Sequence, residues 1–348
     1  MTVYYFEAVE GILGIKTNIK NFSWSYGTVM PSTNKSQFEN CHIRIEVYNE
    51  EIPIPTNIED MGKYHYFRGL PNKNEVLYYR TFLMNQKLKL KLLDANTNNP
   101  KLFVNDTYYK NIRHRFMNLH SVGYLLTDLA SYLLLREGYA PIHSSAFNLN
   151  GETTVVFAPP NTGKTLTSMM ACMEHGAKYI GEDLAVTDGE RIYSVPWTST
   201  FRYYSNVDKS KTSKFKNKLT ELVPPLELIG GGKQDPITNF ISYDNIVNAS
   251  DVKYLALLER DNIPSVCYED EEEINRKLIN LNRYEFNYLR SPLLIAYTFF
   301  NPGFSVDEAF KNEEHILNGL VNQADKSFVV SNNDATGYIE QILGEITK

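Results

Sequence analysis

Cysteine is scarce in this chain of 348 residues: Cys41, Cys172 and Cys267 are the only three, far apart and with no CxxC spacing. That excludes a disulfide framework and a cysteine-based zinc site, and leaves three small buried hydrophobes in a reducing compartment. A basic surplus is missing too. The formal net charge of -6 and a pI of about 5.7 argue against general affinity for nucleic acid or an anionic membrane, because both select basic surfaces. Long apolar runs are absent as well. The longest, near Pro292–Phe300, is about half of what a membrane span needs. Residues 1–11 carry Glu7 and Glu10 where a signal peptide would carry a basic start. A cytoplasmic location without membrane or nucleic-acid partners is the expectation. No internal repeat or low-complexity segment stands out, and a homo-oligomer is compatible with the sequence without being required by it.

What is present is enough for a real core: 43% of the residues are hydrophobic. The pattern changes near residue 115. Before it, residues 42–48 (HIRIEVY) and 75–82 (EVLYYRTF) alternate or cluster β-branched and aromatic side chains between Asn, Pro and Gly punctuation, so residues 1–115 read as a β-rich unit. After it, Leu125, Leu126, Leu129, Ala130, Leu133 and Leu134 recur at helical spacing within residues 118–136, predicting a helix with one buried face and a stop at Gly138. Residues 146–149 and 153–157 read as a hairpin across Asn150-Gly151, a dipeptide that accepts two positive φ angles. Lys164–Glu174 places Leu166, Met169, Met170 and Met173 on one helical face before Gly176. Lys178–Gly181 is a further strand that ends at Glu182-Asp183, and residues 184–187 pair with 191–195 across Asp188-Gly189. Residues 253–258 read as a strand, and 272–290, 306–321 and 336–343 as helices. The acidic run 269–273 reads as the first turn of such a helix.

The chemistry concentrates in residues 158–165, Ala-Pro-Pro-Asn-Thr-Gly-Lys-Thr, which match GxxxxGK[ST] with Ala158 in place of the first glycine. A strand precedes the match and a helix follows it. In such a loop, backbone N–H groups converge on phosphate at the positive end of the helix. Pro159 and Pro160 have no N–H, so the cradle begins at Asn161 and runs through Thr162, Gly163, Lys164, Thr165 and Leu166. Asn161 tolerates the left-handed backbone such a loop requires, and Gly163 lets the chain approach the phosphates closely. Lys164 would reach the outer phosphates of ATP and the Thr165 hydroxyl would ligate Mg²⁺.

At this point the chain resembles the HPr kinase/phosphorylase-like kinases, whose ATP domain is related to phosphoenolpyruvate carboxykinase. The residues that carry the resemblance are Leu135-Arg136-Glu137-Gly138 closing a helix, His143 opening a strand, the loop 158–165, and Tyr179-Ile180-Gly181-Glu182-Asp183. It spans about residues 134–195. The resemblance implies an α/β fold, with a phosphoenolpyruvate carboxykinase-like P-loop kinase domain over residues 116–348 and the β-rich unit ahead of it. It implies that Glu182 takes the proton from an attacking hydroxyl, that Asp183 joins Thr165 on the metal, and that His143 lies near the reacting phosphate. Arg202 is the candidate for neutralising charge on the transferred group, since a guanidinium offers fixed donors to phosphate oxygens.

Three departures limit what is carried over. The first acidic residue is Glu182 where the family has Asp, which moves the carboxylate outward by one methylene. The second signature of that family has its nearest counterpart in residues 226–230 (LELIG), which lacks the arginine, so Glu227 is a doubtful metal ligand. Residues 1–115 show no resemblance, so neither the family's protein substrate nor its reverse reaction transfers. Five lysines in residues 209–218, followed by Pro224-Pro225 and residues 230–233 (GGGK), read as a solvated loop beside the site. The expected activity is an ATP-dependent phosphotransferase acting on a hydroxyl-bearing acceptor, either a small molecule or a peptide or protein serine. The alternative from another class is a nucleotide-binding regulatory or assembly protein, which the missing first glycine and the paired prolines allow.

Overall fold

A computed structural model describes residues 2–22, 24, 26, 30–55, 65–69, 73–114, 119–198, 236–286 and 288–348. The alternation read in the first third becomes a seven-stranded mixed sheet of β1 (Tyr4–Val9), β2 (Leu13–Thr17), β3 (Ile43–Asn49), β4 (Tyr66–Arg68), β5 (Glu75–Thr81), β6 (Lys87–Leu93) and β7 (Lys101–Val104), in the order β1-β2-β3-β7-β6-β5-β4. Among the described residues, its only parallel pairings are β2–β3 and β3–β7. Two short helices, α1 (Lys35–Asn40) and α2 (Asp106–Asn111), start at Asn34 and Asn105, whose side chains accept from the third backbone N–H of each helix. Ile43, Ile45 and Val47 of β3 join Leu88, Leu90 and Leu92 of β6 in one buried cluster, because a period of two puts alternate side chains on one face.

That cluster does not stop at the sheet. It continues through α3 (Val122–Arg136) into Leu184, Val186 and Val195 of the second half of the chain. The helix was expected to bury one face; it buries almost its whole circumference, including Asp128, Ser131 and Tyr132. The reason is position, since α3 touches β3 on one side and elements of the second half on the other. Gly138 ends it with φ +84, a backbone angle that a side chain would resist.

The second sheet is also mixed, and the chain is thus α/β. It comprises β8 (Ala140–Ile142), β9 (Ser145–Leu149), β10 (Glu152–Phe157), β11 (Lys178–Gly181), β12 (Ala185–Thr187), β13 (Arg191–Ser194), β14 (Ala249–Arg260), β15 (Ser265–Cys267) and β16 (Lys326–Asn332). Its main path is β11-β9-β10-β14-β13-β12-β8, with β16 beside β14 and β15 beside β16. Both expected hairpins form, and Asn150 and Gly151 take φ of 55° and 91°. Strands β10, β14 and β16 run parallel, and β11 shares their direction across the antiparallel β9. Their carboxyl ends therefore lie along one edge, where open α/β sheets bind ligands. One face of the sheet carries α4 (Lys164–Glu174) and, through Ile339 and Ile342, the C-terminal helix Tyr338–Ile346. The other carries α5 (Glu271–Glu285) through Ile274 and Leu278.

The stretch 272–290, expected as one helix, breaks after Glu285. Phe286 leaves helical angles (ψ 102°) to bury its ring in the cluster shared with the first sheet. After it, α6 (Pro292–Phe300) starts with proline in its first turn, where the missing N–H costs nothing. The C-terminal helices are α7 (Val306–Gln323) and α8 (Tyr338–Ile346). No helix among the described residues is long and apolar enough to cross a membrane. Of the cysteines, Cys41 is buried and Cys172 half-buried, but Cys267 is exposed on β15, contrary to its reading as a buried hydrophobe.

The carboxylate of Glu313 on α7 is wholly buried. It accepts from Asn282 Nδ2 at 2.7 Å and from Arg283 Nε at 2.9 Å, tying α7 to α5 just before the helix break. Glu313→Ala is expected to destabilise the fold by about 2 kcal/mol, because it leaves the buried Asn282 amide without its acceptor and takes from Arg283 the buried one of its two carboxylate partners, Glu314 remaining. Chemical denaturation measures this, and a loss under about 1 kcal/mol would mean that water replaces the carboxylate.

Candidate functional site

Residues 158–165 join β10 to α4 at the carboxyl edge, as the motif requires. Asn161 takes φ +61°, the left-handed conformation expected of it, and Gly163 takes φ +133°. A Cβ on Gly163 would lie 3.1 Å from the Ala335 Cβ, so the glycine is also needed for close packing against the turn that leads into α8. Gly163 caps α4, and the first hydrogen bond of the helix runs from Thr167 N to Gly163 O. The amides of Lys164, Thr165 and Leu166 come before that bond, where a helix has no acceptor to offer them. Thr162 is buried and Leu166 half-buried at the same turn.

Lys164 is 8% exposed. Its ammonium donates to His143 Nε2 at 2.9 Å and to the Ala158 carbonyl at 3.2 Å. With Nε2 accepting, the ring proton of His143 belongs on Nδ1, which faces Asp183 Oδ1 at 3.5 Å. The Thr165 hydroxyl donates to Glu182 Oε1 at 2.6 Å. Glu182 is 1% exposed, and its carbonyl accepts from the Thr198 hydroxyl. Asp183 behaves differently. It sits at φ +76°, unusual for a non-glycine residue, and half of its side chain faces solvent. The tight turn between Glu182 and Leu184 sends the first carboxylate inward and the second outward.

Five of the sequence candidates thus meet at one place: His143, Lys164, Thr165, Glu182 and Asp183. Their pairing differs from what the resemblance implies. The carboxylate on the Thr165 hydroxyl belongs to Glu182, whereas Asp183 faces His143. Arg202, Glu227, the lysine run and residues 230–233 lie outside the described residues. Glu285, at the end of α5, is a member that the sequence did not suggest; its charge acts on both Lys164 and His143. Nothing local marks it, since only the packing of α5 across the sheet brings it here.

Burial pushes the Lys164 ammonium below its ordinary range, and Asp183, Glu285 and Glu182 pull it back up. Burial also pushes His143 below the usual 6.5, aided by the Lys164 charge and opposed by Asp183 and Glu285. The unfolded chain therefore takes up this proton more readily than the folded one. The stability associated with neutral His143 is present above about pH 6.5 and is lost as pH falls from there through the folded value. Between pH 7.5 and 5.5 the melting temperature of the wild type should fall more than that of His143→Gln. Parallel curves would show that the ring titrates normally.

Among the described residues, no group of three His, Cys, Asp or Glu side chains comes together as a metal site. Mg²⁺ in phosphate loops needs no such cage, because phosphate oxygens and water complete its octahedron. One hydroxyl and one adjacent carboxylate, as Thr165 and Glu182 provide, fit that donor set.

No family model matches the chain, and no curated protein matches it. Among solved structures, it is similar to the HPr(Ser) kinase/phosphatase from Coxiella burnetii, at 10% identity and a TM-score of 0.22, over 37% of this chain and 77% of that one. A likeness that distant says nothing about activity. The functional reading stands on the loop and its neighbours.

Proposed function

We propose that the chain is a kinase that transfers the terminal phosphoryl group of Mg·ATP to a hydroxyl of a small molecule or of a peptide or protein serine. The supporting observation is the double contact across the loop: Thr165 on Glu182, and Lys164 on the His143 that faces Asp183. In this reading residues 116–348 form a phosphoenolpyruvate carboxykinase-like kinase domain, and residues 1–115 help to select the acceptor. The backbone amides from Asn161 to Leu166 hold the phosphate chain and Lys164 neutralises its outer oxygens. Thr165 and Glu182 would hold Mg²⁺, which would withdraw charge from the phosphates.

The two carboxylates exchange the roles implied by the resemblance. Glu182 is buried on the metal side and closed to an incoming acceptor. Asp183 is half-exposed and oriented by His143, so it is the base. The acceptor oxygen forms a bond to the terminal phosphorus, its proton passes to Asp183, and the bond to the bridging oxygen breaks to release ADP. Catalysis is then mostly positioning and electrostatics, as is usual for phosphoryl transfer.

The test is incubation of the protein with γ-labelled Mg·ATP and native extract, followed by mass spectrometry of whatever gains a phosphoryl group. A labelled acceptor that disappears with Asp183→Asn supports the kinase. Tight ATP binding with no turnover on any acceptor points to the regulatory protein instead, for which Ala158 and the two prolines remain the argument.

A further inference from the structure

A cavity of about 390 Å³ opens beside the phosphate loop, between its proline end, the carboxyl end of β14 and the outer half of α5. This volume is in the range of ~300–1,000 Å³ usual for small-molecule sites. Pro159, Pro160, Leu257, Asn280, Leu281 and Tyr284 are among the residues that line it. Tyr284 is 71% exposed, and both prolines are exposed.

Resting on the kinase reading above, we propose that this cavity takes the purine base of the nucleoside triphosphate. The strand order supplies the direction. Glu182 and Asp183 lie at the end of β11, which is reached from β10 through β9; the cavity lies on the opposite flank of β10, against β14. A triphosphate stretched across the loop with its terminal phosphate at the carboxylates points its nucleoside end toward the cavity. The chemistry agrees. Pro159 and Pro160 have no N–H to offer an anion, yet their apolar rings and the aromatic ring of Tyr284 suit the face of a base. The cations nearby are occupied: Lys277 bonds Glu259 and Glu269, at 2.8 and 2.7 Å, and Arg276 holds Glu273. Among the described residues that line the cavity, Asn280 is the one neutral side-chain amide, with a donor and an acceptor for a purine edge.

The experiment compares two probes, Mg·ATP and inorganic tripolyphosphate, by calorimetry on the full chain. Tyr284→Ala removes an exposed ring and Asn280→Trp fills the cavity from an exposed helix position, so both variants should fold. Each is expected to weaken Mg·ATP about tenfold, the scale of one base–aromatic stack, while tripolyphosphate affinity stays unchanged. Lys164→Ala should weaken both probes. ATP affinity unchanged in both variants overturns the proposal, and this is the outcome if the cavity receives the acceptor. Equal losses for the two probes also overturn it, since the variants would then be disturbing the loop. If the wild type binds neither probe, the kinase reading falls and the base pocket falls with it. If both probes depend on Lys164 but Mg·ATP binds the cavity variants as tightly as the wild type, the pocket alone falls and the phosphate loop stands.

Discussion

Lys164→Ala is expected to remove measurable binding of Mg·ATP and to lower any phosphoryl transfer by about 10²–10³-fold, the usual scale for losing one preorganised charge at a developing anion. Burial sets the size of the effect. An ammonium that is 8% exposed, held by a carbonyl and a histidine nitrogen, has given up water for two partners. The position is maintained because three carboxylates favour the charge from nearby, Asp183, Glu285 and Glu182. Alanine leaves them facing one another with nothing cationic between, so an incoming phosphate chain meets uncompensated negative charge. Lys164→Arg is not a conservative control, since a planar fork cannot occupy the space of a compact ammonium. Calorimetry with Mg·ATP checks the result. Wild-type affinity in the alanine variant would end the phosphate-loop reading.

The second large effect separates the two acidic neighbours. Asp183→Asn keeps the size of the side chain and its partner His143 but removes the proton acceptor, so transfer should fall by about 10²–10⁴-fold with ATP affinity little changed. Glu182→Gln should instead raise the magnesium concentration needed for ATP binding, because the carboxylate bonded to Thr165 becomes a neutral amide. Titrating magnesium into each variant reads the difference. If Glu182→Gln abolishes transfer at saturating magnesium while Asp183→Asn stays active, the roles are those the resemblance implies and the exposure argument is wrong.

Much of this site was legible in the sequence where its geometry is local. Asn161 at a left-handed position, Gly163 before the helix, and Asn150-Gly151 in a two-residue turn are each set within a few residues, so composition and spacing reveal them. The contacts that give the site its electrostatics are not local. Lys164 reaches His143 from the neighbouring strand connection, Thr165 reaches Glu182, and Glu285 arrives from a helix on the far face of the sheet. No periodicity encodes these distances. The fold shows the same split. β3, α4 and both hairpins follow from short patterns, whereas α6 was read only as an apolar run. Its residues are apolar nearly all round, and such a run cannot be told from a strand by period. β16 was not expected at all, although it is the strand that completes the parallel trio.

The cluster that joins the first sheet to α3 bears on how the chain can be cut. Arg136 at the end of α3 donates to the Ala95 carbonyl, and Tyr297 of α6 accepts from Ala95 N while donating to the carbonyl of Asn74. A fragment that began at residue 116 would lose these anchors and the contact between the Tyr26 and Ser131 hydroxyls, and would open to water the side of α3 that the first sheet covers. Such a fragment keeps every residue of the phosphate site and still has a sticky side, so it should precipitate or pair with itself long before its chemistry could be assayed. Studies of the nucleotide half therefore need the first sheet attached, whatever that sheet does for the acceptor.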